Sequence, residues 1–409
     1  MEFHEKISQY AELAIQVGVN IQKGQYLFIN TTTDTLEFTR LVVEKAYEAG
    51  AGRVDVHFSD EVISRTFYEK APEESFQYYP EWVSKQRDEV IAKKGAFLWI
   101  DSTDPDLLEG IPASRIANYQ KAAGKVLENY RQAVMSDRIA WSIVAVPSKN
   151  WAKKVFPHLP EDEQMDALWE AIFQAVRIGQ GDAVENWQKH ITNLEKRADL
   201  LNKKRYKKLH YRAPGTDLRI ELPEDHLWLT GASKTSDHIP FIANIPTEEV
   251  YTAPLKTGVN GYVSNTKPLI IKGNVIDDFT LTFENGKIVK VEAKKGEELL
   301  KEILEADEGA SYLGEVALVP HHSPISEANI LFYNTLFDEN ASNHLAIGAA
   351  YGTCIKGGRD LHEEELKARG LNVSLIHEDF MIGSEKMDID GELADGTREA
   401  LFRDGNWAF

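Results

Sequence analysis

The sequence predicts an α/β protein of two domains: an N-terminal parallel α/β sheet domain and a C-terminal mixed, largely antiparallel β domain with helices. Three observations predict this fold class. The chain has 409 residues, more than one ordinary core accommodates. Residues 3–146 alternate between helix-type and strand-type patterns, whereas short strand-type segments dominate from Leu209 onward. We therefore divide the chain into residues 1–208 and residues 209–409.

In the first half, helices and strands follow one another in alternation. An opening helix ends before Gly24, and a second helix runs from the capping residue Asp34 to Gly50. Apolar segments predict strands at 26–29, 54–58, 96–100 and 139–146. Strand, helix and strand in this order favour a parallel sheet with helices on its faces. Two long helical patterns, at 161–178 and 184–205, close the first domain.

The second half is predicted to be richer in antiparallel strands. Strand-type alternation occurs at 218–222, 227–230, 269–271, 280–283 and 288–292. The Asn285-Gly286 pair between the last two segments favours a tight hairpin. Inserted helices are predicted at 296–307 and 341–350, the second because its small residues are typical of a closely packed helix.

Composition and charge exclude several classes of function. The formal net charge is −19, so a polyanion such as nucleic acid would be repelled at long range. No apolar run approaches the roughly 20 residues of a membrane helix, and the N-terminus has no secretory pattern. A single cysteine, Cys354, excludes an internal disulfide. We expect a cytoplasmic protein that binds neither nucleic acid nor membrane.

Signature motifs of serine hydrolases, P-loop enzymes and His-Glu-x-x-His metalloproteases are absent from the sequence. What stands out is an acid within an apolar strand pattern: Glu315 shares a strand face with Leu313 and Ala317. A carboxylate there loses several kcal/mol of solvation unless a partner or a metal compensates. A buried salt bridge or a partly exposed strand end would explain it equally well.

A second segment pairs imidazole with carboxylate. His377 and Asp379 are two apart in a strand-type pattern, so both project from one face about 7 Å apart. Together they suit zinc, cobalt or manganese, whereas calcium sites use oxygen only. The alternative is a core histidine bonded to a neighbouring acid.

Two further segments add candidate residues. His344 and Tyr351 are seven apart, so in the predicted helix they share a face; the alternative is a purely structural pair. Glu248 and Glu249 are adjacent acids in a proline-bounded loop, a place where acids are more often solvated than functional. Together these segments supply the acids and histidines of a two-metal hydrolytic site.

The same segments, 246–254, 314–315, 337–351 and 377–383, resemble the thermophilic metallo-aminopeptidase family of the aminopeptidase T and S type. The similarity is dense from 245 to 390. The resemblance implies a broad-specificity aminopeptidase that acts on peptides with a free N-terminus, and that forms a homodimer.

The resemblance also assigns the site residues. It implies two divalent ions per chain, zinc, cobalt, manganese or magnesium, with the metal ligands Glu249, Glu315, His344, His377 and Asp379. Glu315 bridges the ions, and Tyr351 is catalytic. The adjacent Glu248 is the alternative to Glu249, and Glu339 is a further candidate ligand.

The expected mechanism is attack of a metal-activated water on the peptide carbonyl, with a glutamate of the set, Glu249 or Glu315, as general base. Tyr351 would donate a hydrogen bond to the oxyanion. Two alternatives stay open: a metallohydrolase that acts on another amide or ester, and a metal-binding protein without turnover.

Overall fold

The computed structural model describes residues 1–179, 181–271 and 274–409. Contacts divide the chain into two compact units. Unit 1 comprises Met1–Lys189 and Ala232–Pro246, and unit 2 comprises His190–Gly231 and Thr247–Phe409. No helix in the described ranges is both long enough and apolar enough to cross a membrane.

The helices in chain order are α1 Phe3–Leu13, α2 Leu36–Glu48, α3 Glu61–Lys70, α4 Glu81–Ala92, α5 Ala113–Val126, α6 Glu128–Met135, α7 Lys149–Val155, α8 Glu161–Ala175, α9 Ala183–Lys204, α10 Glu297–Leu304, α11 Pro324–Glu327, α12 Thr335–Asp338 and α13 Glu363–Ala368. The strands in chain order are β1 Tyr26–Thr32, β2 Arg53–Ser59, β3 Ala96–Asp101, β4 Trp141–Ala145, β5 Lys208–Ala213, β6 Thr216–Glu221, β7 Leu229–Thr230, β8 Ala232–Lys234, β9 Pro240–Ile242, β10 Asn244–Ile245, β11 Val250–Thr252, β12 Val259–Ser264, β13 Leu269–Ile271, β14 Asn274–Glu284, β15 Lys287–Lys295, β16 Leu313–Leu318, β17 His344–Gly348, β18 His377–Met381, β19 Asp388–Glu392, β20 Arg398–Arg403 and β21 Asn406–Trp407.

Unit 1 is built on a parallel sheet in the order β10-β4-β3-β1-β2. The central strand β1 buries Leu27, Phe28 and Ile29, because neighbouring strands cover both edges and packed residues cover both faces. The four strands predicted in the first half are all present, and the predicted fold class is confirmed.

The strand β10 joins unit 1 from a distant part of the sequence. Asn244 and Ile245 pair in parallel with Ile143 and Val144 of β4, and Phe241 packs against Trp141 with ring centroids 6.3 Å apart. The predicted domain boundary between residues 208 and 209 falls at the start of β5, whereas the two compact units divide within α9, between Lys189 and His190. Local patterns carry no signal for a pairing between segments about 100 residues apart.

Unit 2 contains two antiparallel sheets. The larger sheet runs β13-β14-β12-β6-β5-β19-β20-β21, with β15 also paired to β14. The predicted hairpin between β14 and β15 is present, and Asn285 and Gly286 adopt the positive φ values of 50° and 86° that such a turn requires. The second sheet, which we call the site sheet, has the order β18-β17-β16-β11-β7.

The predicted helix at 341–350 is wrong: His344–Gly348 forms the strand β17 in the site sheet. It pairs antiparallel with β16 on one side and with β18 on the other, and all five of its residues are buried. A short, wholly apolar run fits a fully buried strand as well as a buried helix, so local periodicity could not separate the two. His344 and Tyr351 therefore do not share a helical face.

Candidate metal centre

One face of the site sheet carries the predicted residues in register. Glu315 on β16 lies opposite Ala346 on β17, and Ala346 lies opposite Asp379 on β18. In the next row, Ala317 lies opposite His344. Small alanine side chains therefore alternate with the acids and the imidazole on this face.

The five predicted ligand residues come together in the structure. His344 Nε2 lies 3.2 Å from Glu249 Oε2 and 3.6 Å from Glu315 Oε1. His377 Nε2 lies 3.6 Å from both Glu315 Oε2 and Asp379 Oδ1. One ligand atom each from Glu249, Glu315 and His344 lies within 4.8 Å of the others, and all three residues are buried.

Backbone carbonyls orient both imidazoles. His344 Nδ1 lies 3.1 Å from the carbonyl oxygen of Ser342, and His377 Nδ1 lies 2.7 Å from that of Ala349. A carbonyl can only accept, so each Nδ1 carries a proton. In the neutral imidazole this leaves the Nε2 lone pair facing the carboxylates, which is the arrangement of a metal-ligating histidine.

The carboxylates of the cluster favour the binding of cations. Burial raises the pKa of Glu315, the hydrogen bond to His344 lowers it, and the carboxylates of Glu249 and Asp379 raise it again, so that the pKa is about 7. Burial disfavours the charged form of His344, yet its hydrogen bonds to Glu249 and Glu315 raise its pKa well above the ordinary value. Carboxylates held this close repel one another unless protons or metal ions intervene.

An unsatisfied atom supports the same conclusion. The buried Oδ1 of Asp379 has no hydrogen-bond partner in the described structure, and a buried unpaired oxygen is costly. A divalent cation would satisfy it. Carboxylate and imidazole donors together fit zinc, cobalt or manganese, so the residues present fit a metal site.

The structure separates the two adjacent glutamates. Glu249 faces the cluster, whereas the carboxylate of Glu248 lies 3.7 Å from His190 Nε2. The backbone N–H of Glu248 donates to Asn340 Oδ1 at 2.8 Å, which fixes the loop just before β11. Consecutive side chains on extended backbone project to opposite sides, so only one of the pair can face the site.

Tyr351 reaches the cluster from the turn after β17, not from a helix. Its ring centroid lies 5.0 Å from that of His377 and 6.3 Å from that of Tyr251. Burial raises the pKa of Tyr351 well above its ordinary value, and the charges of Glu315 and Asp379 raise it further. The phenol therefore stays protonated at neutral pH and can donate a hydrogen bond.

Glu339 also approaches the cluster. Burial, together with the charges of Asp379 and Glu249, raises the pKa of Glu339 well above its ordinary value. Glu339 and Asp379 line a cavity of about 50 Å³. The other residues that line it are Pro268, Leu269, Ile270, Tyr333, Asn334, Thr335, Asp338 and Met381. The sequence did not predict this cavity. A signal was present, because Met381 lies two residues after Asp379 and therefore on the same face of β18.

The neighbouring histidines His321 and His322 do not join the site. His322 Nδ1 lies 3.1 Å from Glu327 Oε1, and the Oγ of Ser326 lies 3.3 Å from His321 Nδ1. In the described structure neither imidazole forms a hydrogen bond or an ion pair with the five clustered residues.

Comparisons with known proteins identify the family of this chain. Residues 3–407 match the profile of a family described as thermophilic metalloprotease (M29). Aminopeptidase AmpS of Bacillus subtilis is 54% identical over 100% of this chain and 99% of its own length. Aminopeptidase 2 of Geobacillus stearothermophilus is 49% identical over 100% and 98%. The solved structure of wild-type AmpT from Thermus thermophilus covers 100% of both chains at 40% identity with a TM-score of 0.94. The chain therefore belongs to the M29 family of thermophilic metalloproteases and is an enzyme of the hydrolase class.

Proposed function

We propose that this metallo-aminopeptidase of the M29 family removes the N-terminal residue from peptides of varied sequence at a centre of two divalent ions. The observation that carries the proposal is the convergence of two histidine Nε2 atoms with the carboxylates of Glu249, Glu315 and Asp379, of which Glu249 and Glu315 are buried. In the described residues, no lysine or arginine forms an ion pair with these carboxylates.

The position of Glu315 supports two metal positions. Its Oε1 lies beside His344 and its Oε2 lies beside His377, each at 3.6 Å. Glu249, Glu315 and His344 would hold one ion, and Glu315, His377 and Asp379 the other. Glu315 would thus be shared by both groups.

The bound ions would lower the pKa of a water molecule and polarise the scissile carbonyl. Side chains of the protein transfer the proton and stabilise the developing charge. Glu249 or Glu315 accepts the proton of the attacking water as general base. Tyr351 donates its phenolic hydrogen bond to the oxygen on which negative charge develops. The buried sheet face excludes bulk water, which strengthens these interactions.

We also propose that the protein acts in the cytoplasm as a homodimer. Unit 1 has a free strand edge, because β2 pairs only with β1 in the described sheet. Just beyond this strand, Val62 and Ile63 on α3 are 74% and 71% exposed. An unpaired strand edge beside exposed apolar side chains favours association with a second copy of the chain.

The test is hydrolysis of leucyl anilide and of its N-acetylated form by protein stripped with a chelator and then reloaded. Zinc, cobalt, manganese and magnesium are added back separately. We expect cleavage of the free-amine substrate alone, and only after reloading. Full activity of protein shown to be metal-free, or equal cleavage of both substrates, would contradict the proposal. Tight metal binding without hydrolysis of any peptide would favour a binding protein.

A further inference from the structure

A groove of about 520 Å³, which we call the α9 groove, lies within unit 2 and contains none of the proposed metal ligands. Its lining residues are Asn193, Lys196, Arg197, Leu200, Lys203 and Phe409. The first five belong to α9 and recur at intervals of three and four, so they share one face of that helix. The volume is in the range of ordinary small-molecule sites.

Three of the lining residues carry positive charge that no acid of the groove neutralises. Within the described ranges, no carboxylate forms an ion pair with Lys196, Arg197 or Lys203, and the acids Glu195 and Asp199 of the same helix do not line the groove. The whole chain has a formal net charge of −19, so this local concentration of cations is unusual for its surface. It favours a ligand with more than one negative charge.

Arg197 is held in place by an aromatic ring. Its guanidinium carbon lies 4.7 Å from the ring centroid of Trp407, and its buried Nη1 has no hydrogen-bond partner in the described structure. Because the ring covers one side of the guanidinium group, the remaining donors of the planar group have a fixed direction. A guanidinium group fixed in this way is suited to bind a phosphate group through two parallel hydrogen bonds.

The other part of the groove is apolar. Leu200 and Phe409 line it, and the Phe409 side chain is 49% exposed although its ring contacts that of Trp407 at a centroid distance of 5.3 Å. An exposed aromatic ring that is supported by a second ring offers a surface on which a planar base can stack. The matching ligand therefore has a chain of anionic groups and a planar ring.

We infer that the α9 groove binds a nucleoside polyphosphate. The phosphate groups contact Lys196, Arg197 and Lys203, and the base stacks on Phe409. A polyphosphate without a base uses only the cationic part of the groove, so the base contributes separately to affinity. The site goes beyond the proposed peptide hydrolysis and does not depend on it, because its lining residues are not metal ligands.

The test is isothermal titration calorimetry of the metal-loaded protein with ATP, tripolyphosphate and adenosine. We expect one ATP per chain, with an affinity about tenfold higher than that of tripolyphosphate because only ATP has a base to stack. Adenosine should bind most weakly, since it lacks the charged groups. The affinity for ATP should fall as sodium chloride is added, because salt screens interactions between charges at the surface.

Variants separate the groove from withdrawal of metal ions by ATP, which contributes heat in every variant. Arg197→Gln should weaken binding of both ATP and tripolyphosphate by about tenfold to hundredfold. Phe409→Ala should weaken binding of ATP by about tenfold and leave tripolyphosphate unchanged. Lys189→Gln is the matched control and should change neither, because Lys189 pairs with Glu185 and does not line the groove.

Arg197 packs against Trp407, so a second variant guards against a loss of folding. Both lysine side chains are exposed, and the double variant Lys196→Gln/Lys203→Gln should weaken binding of both anions in the same way. The inference is overturned if neither anion binds, if ATP binds no more tightly than tripolyphosphate, or if Arg197→Gln and the double variant keep full affinity for ATP. Conversion of a dimer to monomers by Arg197→Gln, measured by sedimentation velocity, would make the groove an interface between copies and would also overturn it.

Discussion

Glu315 and Asp379 lie on either side of Ala346 in the site sheet, so two carboxylates share one sheet face with only a methyl group between them. Glu315 is buried, and Asp379 has a buried oxygen without a hydrogen-bond partner. Like charges at such separation are stable only with protons or cations beside them. The stability of this fold should therefore depend on both pH and metal.

We predict that the metal-free protein loses stability as pH rises from about 4.5 to about 7. The pKa of Glu315 is raised from 4.5 to about 7 in the folded chain, so in this range the folded state binds more protons than the unfolded state. Stability then falls as pH rises, on the order of 3 kcal/mol from this group alone. The raised pKa of His344 also lowers stability as pH rises. The folded state holds the proton on His344 at pH values where the unfolded chain has lost it, and this contribution to stability disappears when His344 is deprotonated in the folded state.

The measurement is the melting temperature against pH, with chelator and with saturating metal. With saturating metal the melting temperature should instead increase with pH. The metal ligands must be deprotonated, so metal binding strengthens as pH rises. A metal-free melting temperature that stays constant or rises between pH 5 and 7 would count against this account.

We predict that Glu315→Gln removes both ions whereas Glu249→Gln removes one. Only Glu315 has an oxygen beside each histidine, so its loss affects both positions. Elemental analysis after dialysis gives the stoichiometry. Glu378→Gln is the control, because Glu378 precedes Asp379 on β18 and projects from the other face. Equal stoichiometry in both glutamate variants would refute a shared ligand.

We predict that Tyr351→Phe lowers kcat by about two to three orders of magnitude while metal content stays near that of wild type. The substitution removes only the hydroxyl and keeps the ring beside His377. Steady-state kinetics with leucyl anilide and elemental analysis test both parts. The exposed Tyr262, changed to Phe, serves as control. A fully active Tyr351→Phe would exclude the oxyanion role.

We predict that Ile63→Asp converts the protein to monomers. The unfolding free energy of each chain should change by no more than about 0.5 kcal/mol, because the Ile63 side chain is exposed in the single chain. A charge at a contact between apolar surfaces is costly to bury. Sedimentation velocity measures the change in mass. Val289→Asp, at an exposed position in unit 2, is the control. A dimer that persists in Ile63→Asp would place the interface elsewhere.

Sequence reasoning worked best where a local pattern had one structural meaning. Period-two alternation placed His377 and Asp379 on one strand face, and the charge of Glu315 inside an apolar run indicated a costly burial that the structure confirms. It failed for 341–350, where an apolar run of small residues had two possible meanings. Burial of β17 between two strands decided the outcome.

The fold class, most of the strands and the residue types available for the site could be predicted from the sequence, because hydrophobic periodicity and turn chemistry act over a few residues. The arrangement of the site residues depends on long-range pairing. Strand register placed Glu315 opposite Ala346 and Asp379, and pairing with β4 brought β10 into unit 1. The hydrogen bond from Glu248 to Asn340 fixed the loop from which Glu249 faces the metal centre. These relationships join residues far apart in the chain, and no local pattern encodes them.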